Sequence, residues 1–186
     1  MNHRTVVAVG ISLLILASGC AKTPVNTAPD FTLPDSHGDM VHLADELRKN
    51  DQVVLVFYYA SHCPPCMTQL RGIEEDYAKY EEKGAQVIAI AVQSGGGAHW
   101  SEEWSGAKFP ILADSDHIVA EAYGVFDLLP EDDGLSTPSV FVINKDGQIV
   151  WKHVATSIFE EGEEPSSPSC GGERVPSETI LENLLV

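Results

Sequence analysis

The 186 residues carry 11 Lys and Arg against 28 Asp and Glu, a net charge of −17, and 44% are hydrophobic. Length and apolar content suffice for one domain with a real core. So acidic a surface argues against nucleic acid and anionic lipid as partners, and leaves a solvated acidic face or a basic partner protein.

The chain opens Met1-Asn2-His3-Arg4, runs apolar from Val6 to Ala17 and reaches Leu16-Ala17-Ser18-Gly19-Cys20. A positive start, a short apolar core and small residues before a cut describe a secretory signal peptide over residues 1–19. The apolar core falls short of the roughly 20 residues that a membrane span needs. Small residues directly before Cys20 resemble the bacterial lipoprotein box, which implies cleavage before Cys20 and a diacylglyceryl group on its sulfur. Ala17 stands where that box most often has Leu, so ordinary secretion with an incidental Cys20 is the alternative. Ala21, rather than Asp, suggests by the same resemblance the outer membrane, periplasmic side, in a cell with two membranes. Cleavage removes Arg4, leaving 167 residues and a net charge of −18. Export also places the cysteines in an oxidising compartment, where a redox-active pair needs an extracytoplasmic electron donor to stay reduced.

Residues 20–28 lack periodicity and read as a lipidated tether to a domain over 29–186. Pro29 to Pro34 and Met40 to Leu43 flank the turn residues Asp35-Ser36-His37-Gly38-Asp39 and predict a hairpin. A short helix over 44–49 precedes the apolar run 53–59, a buried strand. From about Pro64 to Glu82, with Leu70, Ile73, Tyr77 and Tyr80 at helical spacing, one helix is expected, stopped near Gly84. Residues 86–92 form a second buried strand, completing a βαβ unit with parallel strands. Ser94-Gly95-Gly96-Gly97 reads as a flexible loop and no phosphate cradle, since no Gly-Lys-Ser/Thr follows; Trp100 to Trp104 is a helical turn. A short strand over 109–114 and a helix over 116–123 closed by Gly124 come next. An acidic loop, 125–137, leads to strands 139–143 and 148–153 around Asn144-Lys145-Asp146-Gly147, a hairpin signal. Residues 155–176, rich in Pro, Ser, Gly and Glu, read as an exposed loop. Ser177 then caps a last helix with Ile180, Leu181, Leu184 and Leu185.

Chemistry concentrates in Ser61-His62-Cys63-Pro64-Pro65-Cys66, placed where the strand ends and the helix begins. Unpaired N–H groups and the positive end of the helix dipole favour a thiolate on Cys63. Cys66, one turn on, is placed to attack a mixed disulfide formed there. The prolines stiffen the turn and remove donors that would be idle in the first helical turn. A zinc ribbon lacks its second ligand pair, because the other cysteines left after cleavage are Cys20 and Cys170. Haem attachment needs His where Met67 stands. A purely structural disulfide remains the bland alternative. The histidines show no ligand spacing, and neither a metal nor another cofactor is implied.

Three stretches together resemble the thioredoxin-like redoxins: Ala28-Pro29-Asp30-Phe31-Thr32-Leu33-Pro34, Cys63-Pro64-Pro65-Cys66, and Ser136-Thr137-Pro138-Ser139 before a strand. The first resembles the opening of peroxiredoxins and TlpA-like proteins, the second the TlpA-like active site, and the third the thioredoxin cis-proline segment. The resemblance covers 28–154 and the last helix. It implies an α/β thioredoxin-like fold, a central mixed sheet with helices on both faces and an N-terminal hairpin extension. By the same likeness, Thr137 and Pro138 shape a substrate groove. Phe57-Tyr58, Gln69, and Phe109 to Asp114 through Ala122 to Val125 resemble the alkyl hydroperoxide reductase and thiol-specific antioxidant family, whose peroxidatic Cys falls on Cys66. That family's activating Pro, Thr or Ser, and Arg fall on Tyr59, Cys63 and Pro138. Against thioredoxin, His62 stands where Trp is usual and Phe57 where a buried Asp assists the second thiol. Gln69 stands where many TlpA-like proteins have Glu. His62 either tunes the Cys63 thiolate or is a residue of the site's rim. Cys170 is a resolving thiol, an intermolecular handle or an unpaired loop cysteine.

The expectation is a lipid-anchored thiol–disulfide oxidoreductase: Cys63 attacks or receives a protein disulfide and Cys66 resolves. Its partners are protein thiols and disulfides, an extracytoplasmic electron donor and the membrane through the anchor. A peroxidase using Cys66 or Cys63, and a non-enzymatic binding lipoprotein with a structural disulfide, are the alternatives.

Overall fold

A computed structural model describes residues 26–129, 133–155 and 174–185. Strands β1 (Thr32–Pro34) and β2 (Met40–His42) pair antiparallel as the expected hairpin, Leu33 opposite Val41. Helix α1 (Leu43–Lys49) leads into β3 (Gln52–Phe57). Then follow α2 (Pro64–Glu75), α3 (Tyr77–Glu82), β4 (Ala85–Ala91), α4 (Gly95–Ser105), β5 (Ile111–Ala113) and α5 (Ile118–Ala122). The hairpin β6 (Ser139–Asn144) and β7 (Ile149–Val154) and the helix α6 (Ser177–Glu182) complete the described chain. The main sheet runs β5-β4-β3-β6-β7 in space. The strands β3, β4 and β5 are parallel, whereas β6 is antiparallel to both β3 and β7. This is the thioredoxin-like mixed sheet.

All six residues of β3 are buried, because the strand is paired on both edges and covered on both faces. Its side chains alternate: Val54 and Val56 enter a cluster with Met67, Leu70, Ala98 and Ile180, while Val53, Leu55 and Phe57 enter another with Leu43, Val119 and Phe141. Helices α2, α3, α4 and α6 therefore cover one face, and α1, α5 and the N-terminal hairpin the other. An apolar run without alternation is what double burial requires.

Three expectations need correction. The helix over 64–82 is broken at Asp76, whose ψ of 3° leaves the helical range. Its carboxylate accepts from Lys79 Nζ at 2.6 Å, and the new axis carries Tyr80 into the core and Tyr77 onto the ring of Phe109. Glycines 95–97 are the first turn of α4 rather than a loop. Ser94 caps that helix, its Oγ accepting from Gly97 N–H at 3.4 Å, and Gly106 ends it in the left-handed conformation at φ 74°. Glycine's low helix propensity is overridden by burial of Ala98, Ser101 and Ser105 on the inner face. Ser177 is the first residue of α6 and not its cap; its hydroxyl instead meets Tyr80 Oη at 3.1 Å, a partner 97 residues away. Among the described residues no helix is long and apolar enough to cross a membrane.

Asp114 follows β5 and is fully buried. Its carboxylate accepts from the N–H groups of Val119 and Ala120, at 3.2 and 2.8 Å, anchoring α5. Burial outweighs these bonds and raises its pKa above the ordinary 3.8. A raised folded-state value means a stabilising contribution fully present below pH 3.8 and lost as pH rises through the folded value. Asp114→Ala should therefore cost about 1–3 kcal/mol at pH 7, since two donors lose their acceptor. Against Asp114→Asn, wild type should gain stability on acidification from pH 7 to pH 4, read from urea midpoints. A gap that moves the other way contradicts the assigned burial penalty.

Candidate functional site: a disulfide at the start of a helix

The strand β3 stops where Tyr58 N–H still pairs with Ile90 O at 3.0 Å, and the chain then turns, Cys63 N–H donating to Ala60 O at 3.2 Å. Cys63 takes the extended conformation of a helix cap, φ −97° and ψ 102°, with Pro64 and Pro65 in the first two helical positions. Neither proline has an N–H. The first free donor of α2 is thus Cys66 N–H, and it points at Cys63 Sγ, 3.3 Å away. The sequence Cys-Pro-Pro-Cys therefore aims one backbone donor, with the positive end of a twelve-residue helix behind it, at one sulfur.

Cys63 and Cys66 form a disulfide with Cα atoms 5.3 Å apart, within the range such bridges require. Both residues have no solvent-accessible surface and belong to the cluster of Tyr59, Met67 and Leu70. Arg174 arrives from the far end of the chain, its Nη2 lying 3.3 Å from Cys66 Sγ and 3.5 Å from Cys63 Sγ. Val175, next to it, is buried, and its carbonyl accepts from Gln69 Nε2 at 3.0 Å. Residues 174–177 and α2 enclose a cleft of about 620 Å³, walled by Pro64, Pro65, Thr68, Gln69, Gly72 and Val175.

The other expected site residues lie as follows. Thr137 and Pro138 are buried and precede β6 at the sheet end that carries the disulfide, since Ser139 pairs with Phe57. The peptide bond before Pro138 is trans, as are all those among the described residues, unlike the cis bond of the thioredoxin segment that Ser136 to Ser139 resemble. Here Thr137 N–H donates to Val125 O at 2.7 Å and Pro138 O accepts from Ala155 N–H at 3.0 Å. His62 is exposed and its ring meets the edge of Tyr59, centroids 6.1 Å apart. Phe57, in the place of the thioredoxin Asp, is sealed among the rings of Tyr123 and Phe141. Cys20 and Cys170 lie outside the described residues. Among the described residues no three His, Cys, Asp or Glu side chains converge as a metal site.

Arg174 is the residue that sequence reasoning missed. It stands at the edge of a segment read as an exposed loop, and its one signal is the return of an apolar residue, Val175, before Pro176 and α6.

Residues 24–152, well over half the chain, match the AhpC/TSA family. The chain belongs to that family. A candidate peroxiredoxin of Mycobacterium tuberculosis, strain H37Rv, is 30% identical over 131 residues, covering 69% of this chain and 82% of the relative. The thiol–disulfide oxidoreductase ResA of Bacillus subtilis is 28% identical over 124 residues, 66% of this chain and 63% of that protein. Among solved structures, a candidate thiol:disulfide interchange protein DsbE of Chlorobium tepidum superposes with a TM-score of 0.57 at 31% identity, covering 69% of this chain and 83% of the other. This member of the AhpC/TSA family is thus an oxidoreductase of thiol chemistry, and Cys63 and Cys66 form a close pair at the start of α2.

Gly72 sits inside α2 on the cleft wall, and a Cβ there would meet nothing within 4 Å. Gly72→Ala should then stabilise the oxidised protein by about 0.5–1 kcal/mol, since only the unfolded chain loses freedom. A lower urea midpoint would show that the cleft closes over this position.

Proposed function

We propose that this protein is an exported, lipid-anchored enzyme that exchanges disulfides through Cys63 and Cys66. Residues 1–19 are its leader, 20–28 its tether and 29–186 its redox domain, and Cys20 carries the lipid that anchors it outside the cytoplasm, on the periplasmic side of the outer membrane in a cell with two membranes. The observation that carries the reading is the Cys63–Cys66 disulfide at the first turn of α2, with Cys66 N–H on Cys63 Sγ. In the reducing direction the Cys63 thiolate attacks one sulfur of a protein disulfide. A Cys63–substrate disulfide forms, and the other substrate sulfur leaves as a thiolate that takes up a proton. Cys66, losing its proton, attacks Cys63 Sγ; the second substrate thiol leaves, and the Cys63–Cys66 disulfide is restored. Two electrons have passed to the substrate, and an extracytoplasmic donor returns them. The same steps reversed oxidise a substrate dithiol. Thr137 and Pro138 wall the approach at that end of the sheet, and His62 belongs to the rim.

A peroxidase reading draws on the family match and on the guanidinium beside Cys66. In it the Cys66 thiolate takes one peroxide oxygen as a sulfenic acid, the alcohol or water leaves, and the Cys63 thiol then condenses with Cys66, releasing water. The exchange reading is preferred because it asks nothing of the activating positions filled by Tyr59 and Pro138.

The two are separated on the full-length chain in detergent, reduced and offered a protein disulfide or hydrogen peroxide. We expect fast exchange, slow peroxide consumption, and a mixed disulfide trapped on Cys63 in the Cys66→Ser variant. Peroxide turnover that survives Cys63→Ser but not Cys66→Ser would falsify the exchange reading. The anchor is tested separately: the N-terminal peptide of the protein recovered from membranes should begin at Cys20 and carry a diacylglyceryl mass, and an unmodified Cys20 there removes the lipid assignment.

A further inference from the structure

Reducing the disulfide sets an electrostatic problem. Both sulfurs are fully buried among apolar side chains, and such surroundings hold a thiol protonated and inert. The chain's 28 acidic residues against 11 basic ones add a negative background. Two features oppose this. One is the helix terminus, equivalent to roughly half a charge, which presents Cys66 N–H to Cys63. The other is the full charge of Arg174, within 3.5 Å of both sulfurs. At that distance and degree of burial the guanidinium is the larger effect, since an opposite charge within about 4–6 Å shifts an ionisation by roughly 1–3 units.

Arg174 is also held in place by the helix that carries the cysteines. Gln69 lies three residues after Cys66, so it shares that face of α2. Its Nε2 donates to Val175 O at 3.0 Å, fixing the backbone next to Arg174. Further along, the Tyr80 hydroxyl meets both the carbonyl and the hydroxyl of Ser177 at 3.2 and 3.1 Å. A glutamate at position 69 would be ionised at neutral pH and could not donate that bond.

We propose that Arg174 is a catalytic residue of the exchange reaction, its guanidinium stabilising the thiolate of the reduced Cys63–Cys66 pair, and that Gln69 is its positioning residue. The inference rests on the exchange reading. The half-reaction takes the disulfide, two electrons and two protons to the dithiol, and loss of one proton leaves a thiolate under the guanidinium. The neutral disulfide gains little from the cation. Arg174 therefore favours the reduced state, makes the pair the stronger oxidant and keeps Cys63 nucleophilic at neutral pH.

The test uses the reduced full-length chain in detergent. Alkylation of Cys63 by iodoacetamide is followed from pH 4 to pH 9 and resolved from Cys66 by peptide mass. Arg174→Gln should raise the Cys63 midpoint by at least about one pH unit. It should also move the equilibrium with glutathione about tenfold towards the disulfide, a potential about 30 mV lower. Arg174→Lys, which keeps the charge, should stay within about half a unit of wild type, and Gln69→Leu should shift the midpoint in the direction of Arg174→Gln by less. An Arg174→Gln midpoint equal to wild type overturns the inference, as does an Arg174→Lys midpoint as high as that of Arg174→Gln. A merely structural role would lower the urea midpoint of the oxidised variant and leave the thiol midpoint where it was. If Arg174→Gln fails to fold, wild type still decides: a Cys63 midpoint at the ordinary thiol value, about 8.5, overturns the assignment. Wild type that exchanges no protein disulfide removes the exchange reading; wild type that does, with unmoved variant midpoints, removes only the role of Arg174.

Discussion

The double burial of β3 is the constraint on which the rest depends. Each of its side chains lies in one of the two apolar clusters or, like Gln52, is buried at its edge. Burial of a single Val, Leu or Phe contributes about 1.5–3 kcal/mol, whereas a helix cap contributes about 1 kcal/mol. The strand's register therefore decides where the chain leaves the sheet, and the cap at Cys63 follows from it. A one-residue slip would exchange the two clusters and send Val54 and Val56 away from α2. The disulfide is thus positioned by the core and not by the loop that bears it.

The chemistry of the site comes from charge placed in that apolar setting. Several ion pairs decorate the surface, such as Lys49 with Glu46 and Lys79 with Asp76; exposed pairs of this kind are screened by water and contribute little. The contact of Arg174 with the sulfurs differs in kind, because water is excluded from both sulfurs and screening is weak there. A chain with so acidic a surface thus sets a guanidinium within 3.5 Å of both sulfurs of the buried pair. The cleft beside it, walled by three prolines and a valine, puts apolar surface next to that charge, which is the usual composition of a site that orients a ligand by a few polar contacts.

Much of the fold was legible. The alternation from apolar runs to helical spacing located β3, α2 and β4, and Asn144 to Gly147 located the β6–β7 hairpin, with Gly147 in the left-handed region at φ 75°. Where local reading failed, a distant partner had intervened. Tyr77 and Tyr80 keep helical spacing with Leu70 and Ile73, yet the axis breaks at Asp76 because Tyr80 reaches Ser177 across 97 residues. Three consecutive glycines read as a loop, but the inner face of Ala98, Ser101 and Ser105 draws them into α4.

The sequence by itself determined the cysteine pair, its place between strand and helix, and the order of the strands, because periodicity, prolines and cap residues act within a few positions of one another. The tertiary structure alone decided what surrounds the sulfurs. Arg174 lies 108 residues from Cys66, in a stretch with no periodicity, and its proximity depends on α6 packing against α2 and on Gln69 holding Val175. Local sequence carries no mark of such a contact, since its energy resides in the packing of elements that only the folded chain brings together.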